Sequence, residues 1–277
     1  MRAALLHGVD AVTAWREWRS LVRLEALDPS AQWLLPLLYT NLKACGVSVA
    51  DLRRYENVYR HNWYKNILLM SAASRILDRA GGNPAGWLLL RGAAWALDTY
   101  EDLGSRPVNH LDLYSPRSQW EPILRAFRSA GWRSSLRSES RMDFSDFLGR
   151  RVCLHGEVLS PSFEGEALSG AHVVRFREWE FRSFTPTHQL AHLAAGYQDW
   201  DDQSSLLWIA DLAALLKKAP IDEAEFSASV KIFGVEPGWQ SMRKTLRDVL
   251  GESFLRDVPL RHARRRSAET EFTSERR

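Results

Sequence analysis

The chain is poor in the residues that would assign it to several large classes. It has two cysteines in 277 residues, Cys45 and Cys153. Two cysteines make no disulfide framework, and nothing around them has metal-finger spacing. No run approaches the roughly 18 apolar residues that a membrane-spanning helix needs. The first ten residues, Met1 to Asp10, hold only a short apolar patch and no signal-peptide core, so a cytoplasmic protein is expected. There is no Gly-x-Ser-x-Gly, no His-Glu-x-x-His and no Cys-His nucleophile arrangement, which removes the common hydrolase and metalloprotease signatures. Gly81-Gly82 and Ser169-Gly170 stand alone and form no phosphate loop.

An excess of one charge is missing as well. The formal charge of +3 comes from the last 17 residues, which carry six arginines and three glutamates. The remaining body holds 31 basic and 31 acidic residues, so no body-wide charge argues for nucleic acid, which is not an expected partner. The tail from 261 to 277, with Arg264-Arg265-Arg266, is expected to be disordered.

Tryptophan is plentiful, with twelve residues. Packing between helices accounts for most tryptophan burial in globular chains. Helical periodicity is clear at the start. Val12, Trp15, Trp18, Leu21 and Val22 give an amphipathic helix over 11–24. Asp28-Pro29-Ser30 breaks the chain and caps a helix over 31–44 that Gly46 ends. Ser48 caps a long third helix to about Arg79, whose Trp63-Tyr64 pair is expected to pack into the core.

The character then changes. Leu88–Leu90 reads as a buried strand, 93–100 as a helix and Leu111–Tyr114 as a strand. A helix over 119–130 follows, with strands over 131–136 and 151–159. Helices return over 185–197, after a cap at Asp201 or Asp202, over 223–233 and over 240–250, the last two divided by Gly234, Pro237 and Gly238. This order predicts an α+β fold, a small mixed β-sheet flanked by N- and C-terminal helical segments. The expected division is a helical segment 1–84, a core 85–165, a second helical segment 166–260 and the tail.

The chemistry-bearing stretch runs from Leu89-Leu90-Arg91-Gly92-Ala93-Ala94 to Arg106-Pro107-Val108-Asn109-His110-Leu111-Asp112-Leu113. In a strand, residues two apart share a face, so His110 and Asp112 point the same way. A small-residue turn into a helix brings backbone N–H groups and the helix dipole to an anion. Val152-Cys153-Leu154-His155 supplies a third segment, and Trp208-Ile209-Ala210-Asp211-Leu212 a later helix.

These segments, in this order, resemble the uncharacterised nucleotidyltransferase family of the DNA polymerase beta superfamily, over roughly residues 30–250. The family pattern reads Leu-Leu-Lys-Gly-x-Ala, then Arg-Pro-Met-Gly-Asp-Ile-Asp-Leu, then Val-Asp-Leu-His. The resemblance implies a nucleotidyltransferase-like sheet, a nucleoside triphosphate with Mg²⁺ or Mn²⁺, and a peptide or small-molecule biosynthetic pathway. It places phosphates on Arg91 and Gly92, makes Arg106 a brace for its loop, and gives any metal to Asp112. The chain departs from the pattern at Arg91, in place of lysine, at His110, in place of the first aspartate, and at Cys153, in place of the third-strand carboxylate. Asp143 and Glu157 are the nearest stand-in acids.

Three readings stay open at this point. The chain is a binding or scaffold module on a degenerate site, holding a protein or peptide partner. Or it is a catalyst with a changed site, Arg91 on phosphate, and Asp112 and His110 at the reacting centre. Or His110, Asp112 and His155 bind a transition metal. His188 and His192, four apart on a helix, read as a surface or core pair rather than as ligands.

Overall fold

A computed structural model describes residues 1–81, 87–158, 161–196, 205–252, 254 and 260–261. The expected Asp201 or Asp202 cap and the tail from 262 onward lie outside the described residues. None of the described helices is long and apolar enough to cross a membrane.

The N-terminal region is helical, as its periodicity predicts. It comprises α1 (Arg2–Leu5), α2 (Gly8–Leu21), α3 (Pro29–Gln32), α4 (Leu35–Ala44) and α5 (Val49–Arg79). Asp28 caps α3 by accepting from the Ser30 N–H. The helix expected over 31–44 is therefore split, with Trp33 and Leu34 between α3 and α4. Ser48 Oγ accepts from the Asp51 N–H and starts α5. At 31 residues, α5 is about 46 Å long at 1.5 Å per residue.

That length lets α5 serve two cores. Near its start, Leu52 and Tyr55 join a cluster with α1, α4 and the C-terminal helices. Near its end, Leu69, Met70, Ala73, Ile76 and Leu77 join a second cluster against the sheet. Trp63 and Tyr64 are 43% and 58% exposed, so the expectation of core packing for this pair is not met. The buried stripe of α5 runs through Asn62 and Asn66, and Trp63 and Tyr64 fall off that face.

The sheet has seven strands: β1 (Leu88–Leu90), β2 (Leu111–Tyr114), β3 (Arg133–Ser138), β4 (Arg141–Ser145), β5 (Arg151–His155), β6 (His172–Phe176) and β7 (Trp179–Ser183). Their order is β3-β4-β5-β2-β1-β7-β6. β2 runs parallel to β5 and antiparallel to β1, and β1 runs parallel to β7, so the sheet is mixed. It reaches residue 183, past the expected core boundary at 165. The added hairpin has a period-two pattern, with Val174, Phe176 and Phe181 buried.

Alternation divides the central strands. Leu89, Leu111, Leu113, Val152 and Leu154 face α5 and α7 (Trp120–Ser129). Leu88, Leu90 and Tyr114 face the other way, toward the C-terminal helices. After α8 (Pro161–Gly170), those are α9 (Pro186–Gly196), α10 (Ser205–Lys218), α11 (Glu223–Phe233) and α12 (Glu236–Leu250). Pro237 and Gly238, expected to lie between two helices, sit in the first turn of α12, where proline's missing N–H costs no hydrogen bond.

The loop that precedes β2 is pinned from α5. Asn66 is fully buried. Its amide donates to the carbonyls of Leu103 and Arg106, at 2.7 and 2.8 Å, and its Oδ1 accepts from the Val108 N–H at 3.2 Å. Asn62 donates to the Gly104 carbonyl at 2.7 Å. A Cβ on Gly104 would lie 2.2 Å from the Tyr59 ring, so only glycine permits this approach. Asn66→Ala strands three backbone groups and is expected to cost about 1–3 kcal/mol or more. Urea unfolding measures the loss, and hydrogen exchange over 100–110 shows whether the loop opens first.

Candidate functional site

The end of β1 turns directly into a short helix. Here α6 (Arg91–Ala94) continues as a π-helical turn over Trp95–Thr99, within the stretch expected to be a plain helix. Arg91 opens it at φ 50, a region that a residue with a Cβ occupies only at a cost on the order of 1 kcal/mol. Gly92 follows because Arg106 leaves no room. A Cβ there would meet Arg106 Nη1 at 2.7 Å.

Arg106 is committed to Asp211 on α10. Its Nε and Nη2 donate to the two carboxylate oxygens at 3.0 and 2.7 Å, and its Nη1 donates to the Pro107 carbonyl at 2.6 Å. The Tyr100 hydroxyl donates to the same carboxylate at 3.0 Å. The side chains are 12% and 1% exposed. Burial opposes the guanidinium charge, and the Asp211 carboxylate more than offsets it. Burial and the same carboxylate raise the Tyr100 hydroxyl well above its ordinary range.

Asp112 lies between two imidazoles. Oδ2 is 3.1 Å from His110 Nε2 and Oδ1 is 2.8 Å from His155 Nε2. Both ring N–H groups donate to the carboxylate. Burial alone would raise this carboxyl, but the two hydrogen bonds hold it well below the ordinary carboxylate range. Strand register puts Cys153 beside Asp112 on β5, and Asp143 beside Cys153 on β4. Burial, followed by the Asp112 and Asp143 charges, pushes the Cys153 thiol up to about 12. Asp143 is held by Arg137 and Arg141, each at 2.9 Å, and Arg141 Nη2 also lies 3.5 Å from Cys153 Sγ.

A pocket of about 530 Å³ opens over these groups, within the range of small-molecule sites. Arg91, Gly92, Arg106, His110 and Asp112 all line it. These are five of the six residues singled out in the sequence. The sixth, His155, reaches the pocket floor through Asp112. Of the stand-in acids, Asp143 is tied up by arginines and Glu157 is exposed beyond the end of β5.

The sequence reading missed part of the wall. Trp33, Trp95 and Trp208 line it, so three of the tryptophans form a ligand-sized surface. Arg141 and Arg151 add positive charge. Asp211 had one sequence signal, a lone acid among Leu207, Trp208, Leu212 and Leu215 on an apolar helix face. His188 and His192 part company. His188 is buried at 3.0 Å from Thr185 Oγ1 and 3.3 Å from Glu225, whereas His192 lines the pocket.

Burial and the nearby Arg91 charge push the His192 imidazole down from 6.5 to about 3. Between those values the unfolded chain binds the proton that the folded chain refuses, so stability falls as pH drops below 6.5. His192→Gln is expected to flatten the acid slope by up to one proton between pH 6.5 and about 4.5. Urea titrations across that range measure it, and an unchanged slope refutes the placement. Asp211→Ala leaves the Arg106 charge buried and unpaired, with an expected loss of about 3–5 kcal/mol by the same measurement at neutral pH.

The model of the uncharacterised nucleotidyltransferase family matches residues 17–251. No curated protein matches the chain. Among solved structures, the solution structure of the antibiotic-resistance factor ANT(2'')-Ia aligns at 11% identity and a TM-score of 0.45, over 67% of this chain and 96% of that one. An antigenic nucleotidyltransferase-like protein from Paracoccidioides brasiliensis aligns at 15% identity and a TM-score of 0.41, over 64% of this chain and 91% of that one.

Proposed function

The chain belongs to the uncharacterised nucleotidyltransferase family, and from that membership we propose that its pocket binds a nucleoside triphosphate at a degenerate transferase site. The observation that carries this reading is convergence. Arg91, Gly92, Arg106, His110 and Asp112 come from two motifs about fifteen residues apart and line one pocket.

The parts have distinct jobs. Arg91 and the N–H groups that open the helix at Gly92 contact phosphates, a placement favoured by oriented backbone donors and by a guanidinium with no ion-pair partner among the described residues. Arg106 braces the loop through Asp211 and leaves its charge largely spent. Trp33, Trp95 and Trp208 offer aromatic faces to a base or to an apolar second substrate. The second substrate is a small molecule or peptide, in keeping with a biosynthetic role.

The residues do not fit a pair of Mg²⁺ ions. Magnesium takes oxygen ligands in near-octahedral geometry, and two of them about 4 Å apart need several carboxylates. Among the described residues of the site, Asp112 is the one carboxylate without an arginine partner, and both its oxygens are engaged by histidines. That observation favours a second reading, in which the pocket binds nucleotide or a partner peptide without transferring anything.

ATP, GTP, CTP and UTP, each with Mg²⁺, Mn²⁺ or chelator, are expected to raise the melting temperature for at least one nucleotide. Arg91→Gly relaxes the positive φ and keeps the fold, yet is expected to weaken that nucleotide by about 10–100-fold, the worth of a charge-assisted hydrogen bond of about 1.5–3 kcal/mol. No shift with any nucleotide sinks the proposal. Mass spectrometry for nucleotidylated product with candidate acceptors separates the transferase from the binding module.

A further inference from the structure

Of the three motif positions where the family pattern has carboxylates, two carry a nitrogen and a sulfur donor here, and Asp112 keeps its oxygens. His110, Asp112 and Cys153 each offer a ligand atom, and these atoms all lie within 4.8 Å of one another. Two donors on one tetrahedral zinc ion at about 2.0–2.3 Å lie about 3.3–3.8 Å apart, so side-chain rotations that draw the three together by about 1 Å bring them onto a single centre. The backbone fixes two of the three. Asp112 and Cys153 are register partners on adjacent parallel strands. The rest of the row is closed to cations, because Arg137 and Arg141 occupy Asp143.

The donor types choose among metals. Hard ions such as Mg²⁺ and Ca²⁺ take oxygen and pass over thiolate and imidazole. Borderline and soft transition ions take cysteine, histidine and carboxylate together. Three protein ligands with an open fourth position are the pattern of a reactive zinc site rather than a structural one. His110 and Asp112 line the pocket, so the fourth position would face its interior.

The surroundings supply what such a site needs. His155 Nε2 donates to Asp112 Oδ1 at 2.8 Å and aims the other oxygen at His110. This is the outer-shell hydrogen bond that orients a ligating carboxylate. His110 Nδ1 is buried and has no hydrogen-bond partner. The Nε2 hydrogen bond to Asp112 sets the present tautomer, and an ion that displaces this bond frees Nε2 once the ring proton moves to Nδ1.

We propose that His110, Asp112 and Cys153 form a single-ion site for a thiophilic divalent cation of the zinc class. His155 is its positioning residue, and the open coordination position faces the pocket. Binding replaces the His110–Asp112 hydrogen bond with two metal bonds. The Cys153 thiol loses its proton to solvent, and the His110 proton shifts from Nε2 to Nδ1, so one proton leaves per ion bound. Cys153, not His155, is the third ligand. The site shares the pocket assigned to the nucleotide but does not depend on it, so the test is run with no nucleotide present.

Full-length protein stripped with a chelator is titrated with Co²⁺ and then Zn²⁺. The expected result is one Co²⁺ per chain with a thiolate-to-cobalt charge-transfer band, displaced by Zn²⁺ and indifferent to excess Mg²⁺. Cys153→Ser is expected to lose the band, while Cys45→Ser keeps it. His110→Ala, at a part-exposed position that the fold tolerates, is expected to lose tight binding. His155→Gln is expected to keep the band and weaken Co²⁺ by about 10–100-fold. No stoichiometric Co²⁺ on the wild-type chain, a band that survives in folded Cys153→Ser, or unchanged affinity in His110→Ala overturns the proposal. Metal binding without any nucleotide binding would uphold it and sink the nucleotide reading alone.

Discussion

The pair of Arg106 and Asp211 is the contact on which the pocket depends. It joins the loop before β2 to a helix more than a hundred residues later, with bidentate hydrogen bonds and almost no solvent. It is a polar tie between α10 and the loop that leads into the strand carrying Asp112. A buried ion pair is weak support for stability in itself, because desolvating two charges offsets much of their attraction. Its geometric demands are the greater consequence. They require glycine at 92 and a loop clamped by Asn66, and Tyr100 shares the same carboxylate. One electrostatic contact thus sets the separation between the sheet and the C-terminal helices, and that separation is the pocket.

Charge within the pocket follows a second rule. Among the described residues, every acid near the floor is already answered. Asp211 has Arg106, Asp143 has two arginines, and Asp112 has two histidines. Arg91 and Arg151 line the same space. The balance favours an anionic guest and disfavours a second small hard cation. It differs from a floor of three unpaired carboxylates at two positions, His110 and Cys153.

The sequence reveals the elements better than their assembly. α5 begins at its Ser48 cap and ends where the Gly81-Gly82 break is read, because capping and glycine act locally. β1 and β2 fall on their apolar runs for the same reason. The hairpin of β6 and β7 and the strand β4 escape, since each is five residues with a half-exposed face whose pattern competes with nearby helical signals. Site residues within one motif are legible because strand alternation alone aligns His110 with Asp112. Those that arrive from distant helices are not. His192 and Trp208 reach the pocket through the packing of α9 and α10, and periodicity cannot tell that face from any other buried one. Asp211 is the exception, since an unpaired acid on an apolar helix face demands a partner.

Arg91 shows how the chain divides stability from function. Its neighbours Leu90 and Gly92 would allow a relaxed turn with glycine at 91, yet a charged residue holds φ 50 at the mouth of the pocket. Strain kept at such a position implies that the side chain is worth more there than the conformational energy it forfeits. The π-helical turn over Trp95–Thr99 points the same way, because it departs from the ordinary ladder just where Trp95 meets the pocket. Arg91 and Trp95 line the pocket together with His110 and Asp112, and Cys153 is the strand neighbour of Asp112. On the proposed reading, the phosphate side of the pocket keeps its charged residue at a conformational cost, while nitrogen and sulfur stand at His110 and Cys153, where the family pattern has carboxylates.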